Sequence, residues 1–521
     1  MPRPAPRRFP TVPVPPPLAP LPEPVPPRSV VVVGAGLAGT QTVDALREHG
    51  FDGRLTLLGA EGVPPYDRPP LSKELLTRPA PVWLSEDLGV DVEKLADDVR
   101  LADAATSLAV DAGSVTVTTA SGARIEADAV VLATGSAPVR PSGWESAWTL
   151  HTAADAARLR ATLRPGLRLV IVGAGWIGAE LAGVAAGQGA EVTVVEAAPV
   201  PLERQLGAVV GERLAPWYDA AGVRLLTGVR VAGVDDGGVW LDGADRPDGG
   251  VSPGSAARLD GADQPGSAAR LDGGVLPGSA ARLDGAERLD GRGGRLDADV
   301  VLAAVGARPA TGWLAGTLPL DATGRLRVDA AGRLTGHASP TDPAGRLAPA
   351  ALSRVWAVGD VAVREHPVFG PVPGGHWSAA LHDPEVTARA MLGLDPAPSD
   401  PEELRARLGL APVARHAPYV FSRQLGHDLA LLGLPTPADD VVLRGDPSAG
   451  PWAALYLERA LDRHPRTTAE GHPVALLRAV LLVDSPRDVG PLRRLMNGPA
   501  PLHVDLTHAL DPTRRLRDAA V

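Results

Sequence analysis

The chain has 521 residues, with 45% hydrophobic but only 3% aromatic side chains, 59 glycines and 54 prolines; that length suits roughly two to four domains. Its formal net charge of −10 argues against a general nucleic-acid binder, although a local basic patch could still dock an acidic protein. There is no cysteine, which excludes a redox disulfide, a thiol nucleophile and an iron–sulfur cluster held by the chain's own thiolates.

Residues 1–27 are about half proline, carry Arg3, Arg7 and Arg8, and contain no continuous apolar run. A disordered, polyproline-type tail is expected there rather than a secretion signal. No stretch approaches the ~20 apolar residues of a membrane span. A soluble, cytoplasmic protein without membrane or nucleic-acid partners is therefore expected.

Val30–Val33 is an apolar, β-branched run of the kind that forms a buried parallel strand. Gly34-Ala35-Gly36-Leu37-Ala38-Gly39 then spells G-x-G-x-x-G, and a helix is expected over Ala38–Arg47. The first glycine allows a tight turn, the second lets backbone approach a pyrophosphate, and the third lets helix pack closely on strand. The helix N-terminus offers free N–H groups and a positive dipole end to the diphosphate. Arg54–Leu58 reads as the next strand, and Glu61 beyond it is placed to bond the ribose of an adenosine.

The same pattern recurs. Leu169–Leu181, LVIVGAGWIGAEL, carries Gly173, Gly175 and Gly178, with Trp176 and Ile177 at the opening of a second helix. Two fingerprints imply two dinucleotides, and the economical pairing is a flavin with a nicotinamide cofactor. Glu196 ends the strand Glu191–Val195. A carboxylate there accepts from a free 2′-hydroxyl and repels a 2′-phosphate, which favours NADH over NADPH. Arg204 stands nearby as a further candidate contact.

Between the two units lies Pro65–Leu76, PYDRPPLSKELL. Its prolines fix an extended entry, Ser72 can cap a helix, and Lys73 falls in that helix's first turn. This run resembles the flavin-contacting segment of NADH-dependent ferredoxin reductases, a branch of the glutathione-reductase-like flavoproteins. The resemblance implies that Arg68 helps hold FAD, that Lys73 lies beside the isoalloxazine, and that Lys73 pairs with Glu180. Ala129–Gly135 (AVVLATG) is similar to the family's passage from the FAD to the NAD domain, which makes Ala133, Thr134 and Gly135 FAD neighbours. Val300–Pro309, with Gly306, resembles its return strand. Val355–Asp360 (VWAVGD) resembles the second flavin motif: Gly359 ends a strand, Asp360 accepts from ribityl hydroxyls, and a following helix faces the pyrimidine end. His376 and Trp377, within Gly375–Ala380, would lie over flavin and nicotinamide. Here the chain departs from the family, which commonly has Glu at Gly375, Asn at Ala379 and Gln-Gly at Asp383-Pro384. Pro418–Gly426 resembles a W-S-D-Q segment, with Phe421 and Arg423 replacing Trp and Asp.

Elsewhere Val115–Thr118 and Ala123–Glu126 alternate as a hairpin should. Pro253–Gly261 recurs at Pro265–Gly273 and Pro277–Gly285. One leucine per copy is too little apolar surface for a solenoid, so an expanded loop is expected between the arms Val239–Gly243 and Arg295–Asp299. Gly336–Ser353 and Arg459–Pro473 read as further insertions. The expected architecture is α/β: a discontinuous FAD-binding domain (28–147 and 298–384), an NAD-binding domain (148–297, with the repeat at 244–291) and an α+β C-terminal domain (385–521). Both nucleotide domains are Rossmann-like.

The resemblance implies an enzyme that takes a hydride from NADH at FAD and passes electrons singly to a ferredoxin-type iron–sulfur protein, for use by a cytochrome P450 or Rieske dioxygenase. Lys73 would stabilise negative charge on the reduced flavin, and the Lys73–Glu180 pair, the catalytic candidates, would tune nicotinamide access. Another NADH-dependent flavin reductase or oxidase, and a non-catalytic NADH-responsive flavoprotein, remain open at this point. The twelve histidines show no spacing such as H-E-x-x-H, so no metal is expected. Monomer and homodimer are both admitted.

Overall fold

The computed structural model describes residues 26–78, 80–242, 294–335, 349–394, 416–459 and 466–521. Residues 1–25 of the proline-rich tail, the twelve-residue repeat, most of Gly336–Ser353 and residues 460–465 of Arg459–Pro473 lie outside them. Strand β1 (Ser29–Val33) is apolar on both faces because both are covered: Val30 to Val33 are at most 3% exposed. It pairs in parallel with Arg54–Leu58 and Ala129–Leu132, and Asp98–Arg100 and Val355–Ala357 complete the sheet. Helix α1 (Leu37–Glu48) buries Val43 and Leu46 against Val30, Val32, Leu55 and Leu57, each such side chain contributing roughly 1.5–3 kcal/mol. The expected hairpin forms as Val115–Thr119 with Arg124–Ala127, and Ala105–Val110 adds a third strand.

In the second domain β2 (Arg168–Val172) lies between Glu191–Val195 and Val300–Ala303, with Arg224–Leu226 outermost, all parallel. Helix α2 (Trp176–Gly187) follows β2. Val300–Ala303 thus completes the second sheet, whereas the return to the first domain was expected from residue 298. An apolar run of this kind suits either sheet; the partner is decided by register, with Val300 opposite Leu169. The chain returns through Ala307–Pro309, antiparallel to Ser136–Pro138. Gly238–Leu241 and Arg295–Asp297, the arms that flank the repeat in sequence, pair antiparallel.

Two further expectations are corrected. No helix follows Asp360 directly; strands Ala362–His366 and Gly370–Pro373 come first, then α3 (Trp377–Met391). Residue 385, expected to open the C-terminal domain, lies inside α3, which runs through Pro384. Proline costs the helix one N–H and a clash with the preceding turn. That cost is offset by packing of Ala388 and Met391 into the core that α1 covers.

The C-terminal sheet is antiparallel: β3 (Tyr419–Gln424), His427–Gly433, Val474–Val483, Trp452–Leu457 and Asp440–Arg444, with His503–Asp505 against Val474–Leu476. One face is covered by Pro486–Met496, and the other packs on Leu206, Val210, Leu214 and Trp217 of the second domain. The Tyr456 hydroxyl donates to the Leu206 carbonyl at 2.8 Å across that junction. Among the described residues no helix is long and apolar enough to cross a membrane.

Candidate active site

Each fingerprint turn is built the same way. A Cβ on Gly34 would sit 2.2 Å from the Ala133 carbonyl oxygen, and one on Gly39 1.7 Å from that of Gly34. In the second turn a Cβ on Gly173 would meet Ala304 O at 2.5 Å, and one on Gly178 would meet Gly173 O at 2.1 Å. These four glycines are required by the fold itself. Gly36 and Gly175 are different: their φ values, −85° and −80°, suit any residue, and a Cβ on either would meet nothing within 4 Å. Each stands at the start of its helix, facing open space. That geometry fits a dinucleotide pyrophosphate laid against the backbone.

The first turn gathers the other flavin candidates. Gly359 approaches Ala38 closely enough that its Cβ would lie 3.1 Å from that of Ala38. Asp360 beside it accepts from the Ser136 hydroxyl at 2.9 Å, next to Gly135. The Thr134 hydroxyl donates to the Ala310 carbonyl at 2.9 Å, and Gly306 accepts the amide of Val139 at 2.9 Å. Ala133 is buried; Leu37 is half-buried at the start of α1. Glu61 lies two residues beyond Gly59, the counterpart of Glu196 in the second domain. Its carboxylate is ion-paired to Arg68 and accepts from the Tyr66 hydroxyl at 2.7 Å. Arg68 also donates to the His151 carbonyl at 2.6 Å, so these two candidates brace each other at the entrance to the second domain.

In the second turn the Glu196 carboxylate accepts from the amides of Ala174 and Ala198, at 2.7 and 2.8 Å. Trp176 is half-buried against the C-terminal sheet, while Ile177 and Arg204 are exposed.

Lys73 Nζ lies 2.8 Å from Glu180 Oε2. Glu180 sits on α2, whose apolar start turns this one carboxylate inward; it is 5% exposed. Its charge is compensated from three sides, because Ser72 donates to Oε2 and Ser422 donates to Oε1 at 2.5 Å. The Gln424 amide in turn donates to Ser422 at 3.0 Å. Ser72 was expected to cap a helix, but Pro69–Ser72 and Glu74–Leu76 form short 3₁₀ turns instead. A hydroxyl beside a buried carboxylate makes a charge-assisted bond, which outweighs capping. Ser72, Ser422 and Gln424 were not singled out as Glu180 partners, since isolated serines carry no periodic or spacing signal. Strand β3 reaches α2 because Gly183 leaves room for the Leu425 turn, where a Cβ would meet Leu425 N at 3.0 Å.

Over this pair stands an aromatic group. The Phe421 ring is 5.7 Å from Lys73 Nζ and edge-on to Trp377 at 5.9 Å, and it remains 37% exposed. Trp377 Nε1 donates to Asp67 at 3.1 Å. Burial raises the Asp67 carboxyl above its usual range. His376 caps α3, its Nδ1 accepting from Ala379 N at 3.1 Å. Burial lowers this imidazole from 6.5 to about 4, and Nε2 has no hydrogen-bond partner among the described residues. At the positions that depart from the family, Gly375 has φ +115°, Ala379 is buried, and Asp383 is turned inward toward Arg364. Arg423 is exposed, 3.8 Å from Asp428.

A family model for pyridine nucleotide-disulphide oxidoreductases matches residues 28–250. A probable ferredoxin reductase of Castellaniella defragrans is 30% identical over 442 residues, covering 82% of this chain and 87% of that protein. The chain belongs to the ferredoxin reductases of the pyridine nucleotide-disulphide oxidoreductase family. This ferredoxin reductase is also 28% identical over 502 residues to the anthranilate 1,2-dioxygenase system ferredoxin–NAD(+) reductase component of Burkholderia cepacia, covering 94% of this chain and 98% of that one. The crystal structure of Fdr9 is similar throughout, with a TM-score of 0.68 and 33% identity over 94% of this chain and 99% of that one. As a family member the chain is an oxidoreductase whose cofactors are FAD and NADH.

Proposed function

We propose that this reductase carries electrons from NADH to a small ferredoxin-type iron–sulfur protein that serves an oxygenase, either a cytochrome P450 or a Rieske dioxygenase, and that it does so in the cytoplasm. The observation that carries the proposal is the buried Lys73–Glu180 pair, held between the two nucleotide turns. The relatives' names and the absence of cysteine support it. The thiol-dependent disulfide reductases and peroxidases of the superfamily have no nucleophile to use here.

FAD, when bound, supplies the two-electron chemistry with NADH and the one-electron chemistry with the iron–sulfur partner. The Gly34–Gly39 turn and the start of α1 would hold its pyrophosphate, and Asp360 its ribityl hydroxyls. Arg68, Glu61, Ala133, Thr134, Gly135 and Gly306 would line its bed. The Gly173–Gly178 turn would hold the NADH pyrophosphate, with Glu196 accepting from the ribose. Lys73 supplies a fixed positive charge, and Glu180 holds that ammonium in one orientation. Ser72 and Ser422 stop the carboxylate from turning away. The Phe421 ring, edge-on to Trp377, stands over Lys73. The test is NADH-driven reduction of a purified [2Fe–2S] ferredoxin by the full chain. Transfer that stops in Lys73→Met supports the proposal, and failure with every ferredoxin tried contradicts it.

A further inference from the structure

Outside this site, three chemically active side chains of the C-terminal domain converge, His472 from one turn and Asp505 and His508 from a single strand-to-helix junction. Asp505 ends the strand His503–Asp505 and caps the helix Leu506–Leu510; it is 2% exposed. Its Oδ1 accepts from the amides of Thr507 and His508, at 2.9 and 3.2 Å. That leaves Oδ2, which faces two imidazole nitrogens at once: His472 Nδ1 at 2.8 Å and His508 Nδ1 at 3.3 Å. The candidate ligand atoms all lie within 4.8 Å of one another, and the two rings meet edge-on at 5.2 Å.

We propose that His472, Asp505 and His508 form a binding site for a divalent transition metal of the zinc class. Zinc takes nitrogen and carboxylate oxygen at about 2.0–2.2 Å in a tetrahedron, which puts neighbouring ligand atoms roughly 3.3 Å apart. The two nitrogen–oxygen separations already approach that edge length. Two imidazoles select against magnesium and calcium, which prefer all-oxygen shells. The carboxylate is oriented by its two backbone amides, the kind of outer-sphere support that fixes a metal ligand in advance. Both histidines are about one-third exposed, so an ion can enter from water, and a water completes the shell. The ion would pin the turn ending at His472 to the last strand and helix of the chain. No metal was expected from the sequence because 33 residues separate His472 from Asp505, and the short Asp505–His508 spacing supplies only two of the three ligands.

The test is Zn²⁺ titration of tag-free, full-length holoprotein in competition with a chromophoric chelator, alongside thermal unfolding. The expected result is one Zn²⁺ per chain and a raised unfolding midpoint. In His472→Ala and His508→Ala, affinity falls by about tenfold or more and the rise disappears. Flavin content and NADH-driven bleaching stay unchanged in both variants, which shows that they fold. Zn²⁺ uptake equal in the wild type and in the combined His472→Ala/His508→Ala variant, or absent from the wild type, would overturn the proposal and leave a hydrogen-bonded His–Asp–His cluster.

Discussion

Lys73 and Glu180 stand 107 positions apart in sequence and 2.8 Å apart in space, joining the loop of the first domain to the helix of the second. The pair is largely out of water, with side chains 15% and 5% exposed. A charge in such a place is held only while its partner and hydrogen bonds remain.

Removing one partner should therefore cost more than removing both. Glu180→Leu strands the Lys73 ammonium and the hydroxyls of Ser72 and Ser422, and should lower the unfolding free energy by about 3–5 kcal/mol. Lys73→Met should cost a comparable amount. The double variant Lys73→Met/Glu180→Leu should lose less than either. Urea unfolding of the three proteins measures this, and additive losses would show that the pair is not coupled.

The glycines should separate into two classes. Gly36→Val should fold but lose FAD, and Gly175→Val should keep FAD while its KM for NADH rises about tenfold or more, since each blocks open space beside a helix start. Gly39→Ala and Gly178→Ala place a Cβ against a carbonyl oxygen and should destabilise by about 1–3 kcal/mol or more. Flavin absorbance and thermal midpoints distinguish the classes.

Glu196 holds the second turn through Ala174, and in the proposed binding mode its charge would repel a 2′-phosphate. Glu196→Gln keeps an acceptor and removes the charge. The preference for NADH over NADPH, taken as the ratio of kcat/KM values, should fall by about tenfold. An unchanged ratio would place the selection elsewhere, with Arg204 the next candidate.

His376 is neutral in the fold because burial lowers its pKa from 6.5 to about 4. The unfolded chain takes up that proton first, so stability present above pH 6.5 is lost as pH falls toward 4. His382, lowered to about 4 by burial and then by His416, acts in the same direction. Asp67 and Asp383, raised mainly by burial, act in the opposite one. His376→Asn retains a side chain able to cap α3 and should flatten the acid limb of a plot of thermal midpoint against pH.

What could be read in advance was what the backbone itself requires. Gly34, Gly39, Gly173 and Gly178 are demanded by carbonyl oxygens about 2 Å from an added Cβ, so their spacing is visible in the sequence. The strands around them are visible as apolar runs. The bracing of Glu180 by Ser72 and Ser422 was hidden, because a hydroxyl's partner is decided by tertiary packing. The same holds for Val300–Ala303, whose sheet is chosen by register, and for α3, which continues through Pro384 because its far end is buried. Asp360 is followed by a hairpin because Ala362–His366 finds partners on both sides, Leu326–Val328 and Gly370–Pro373, which local pattern cannot reveal.

The most direct test of the account is anaerobic rapid mixing of the FAD-loaded protein with NADH and, separately, NADPH, followed at the flavin's visible absorption band. The account predicts fast bleaching by NADH, slow or no bleaching by NADPH, and recovery of colour when oxidised ferredoxin is added. Bound FAD that NADH fails to bleach would contradict it.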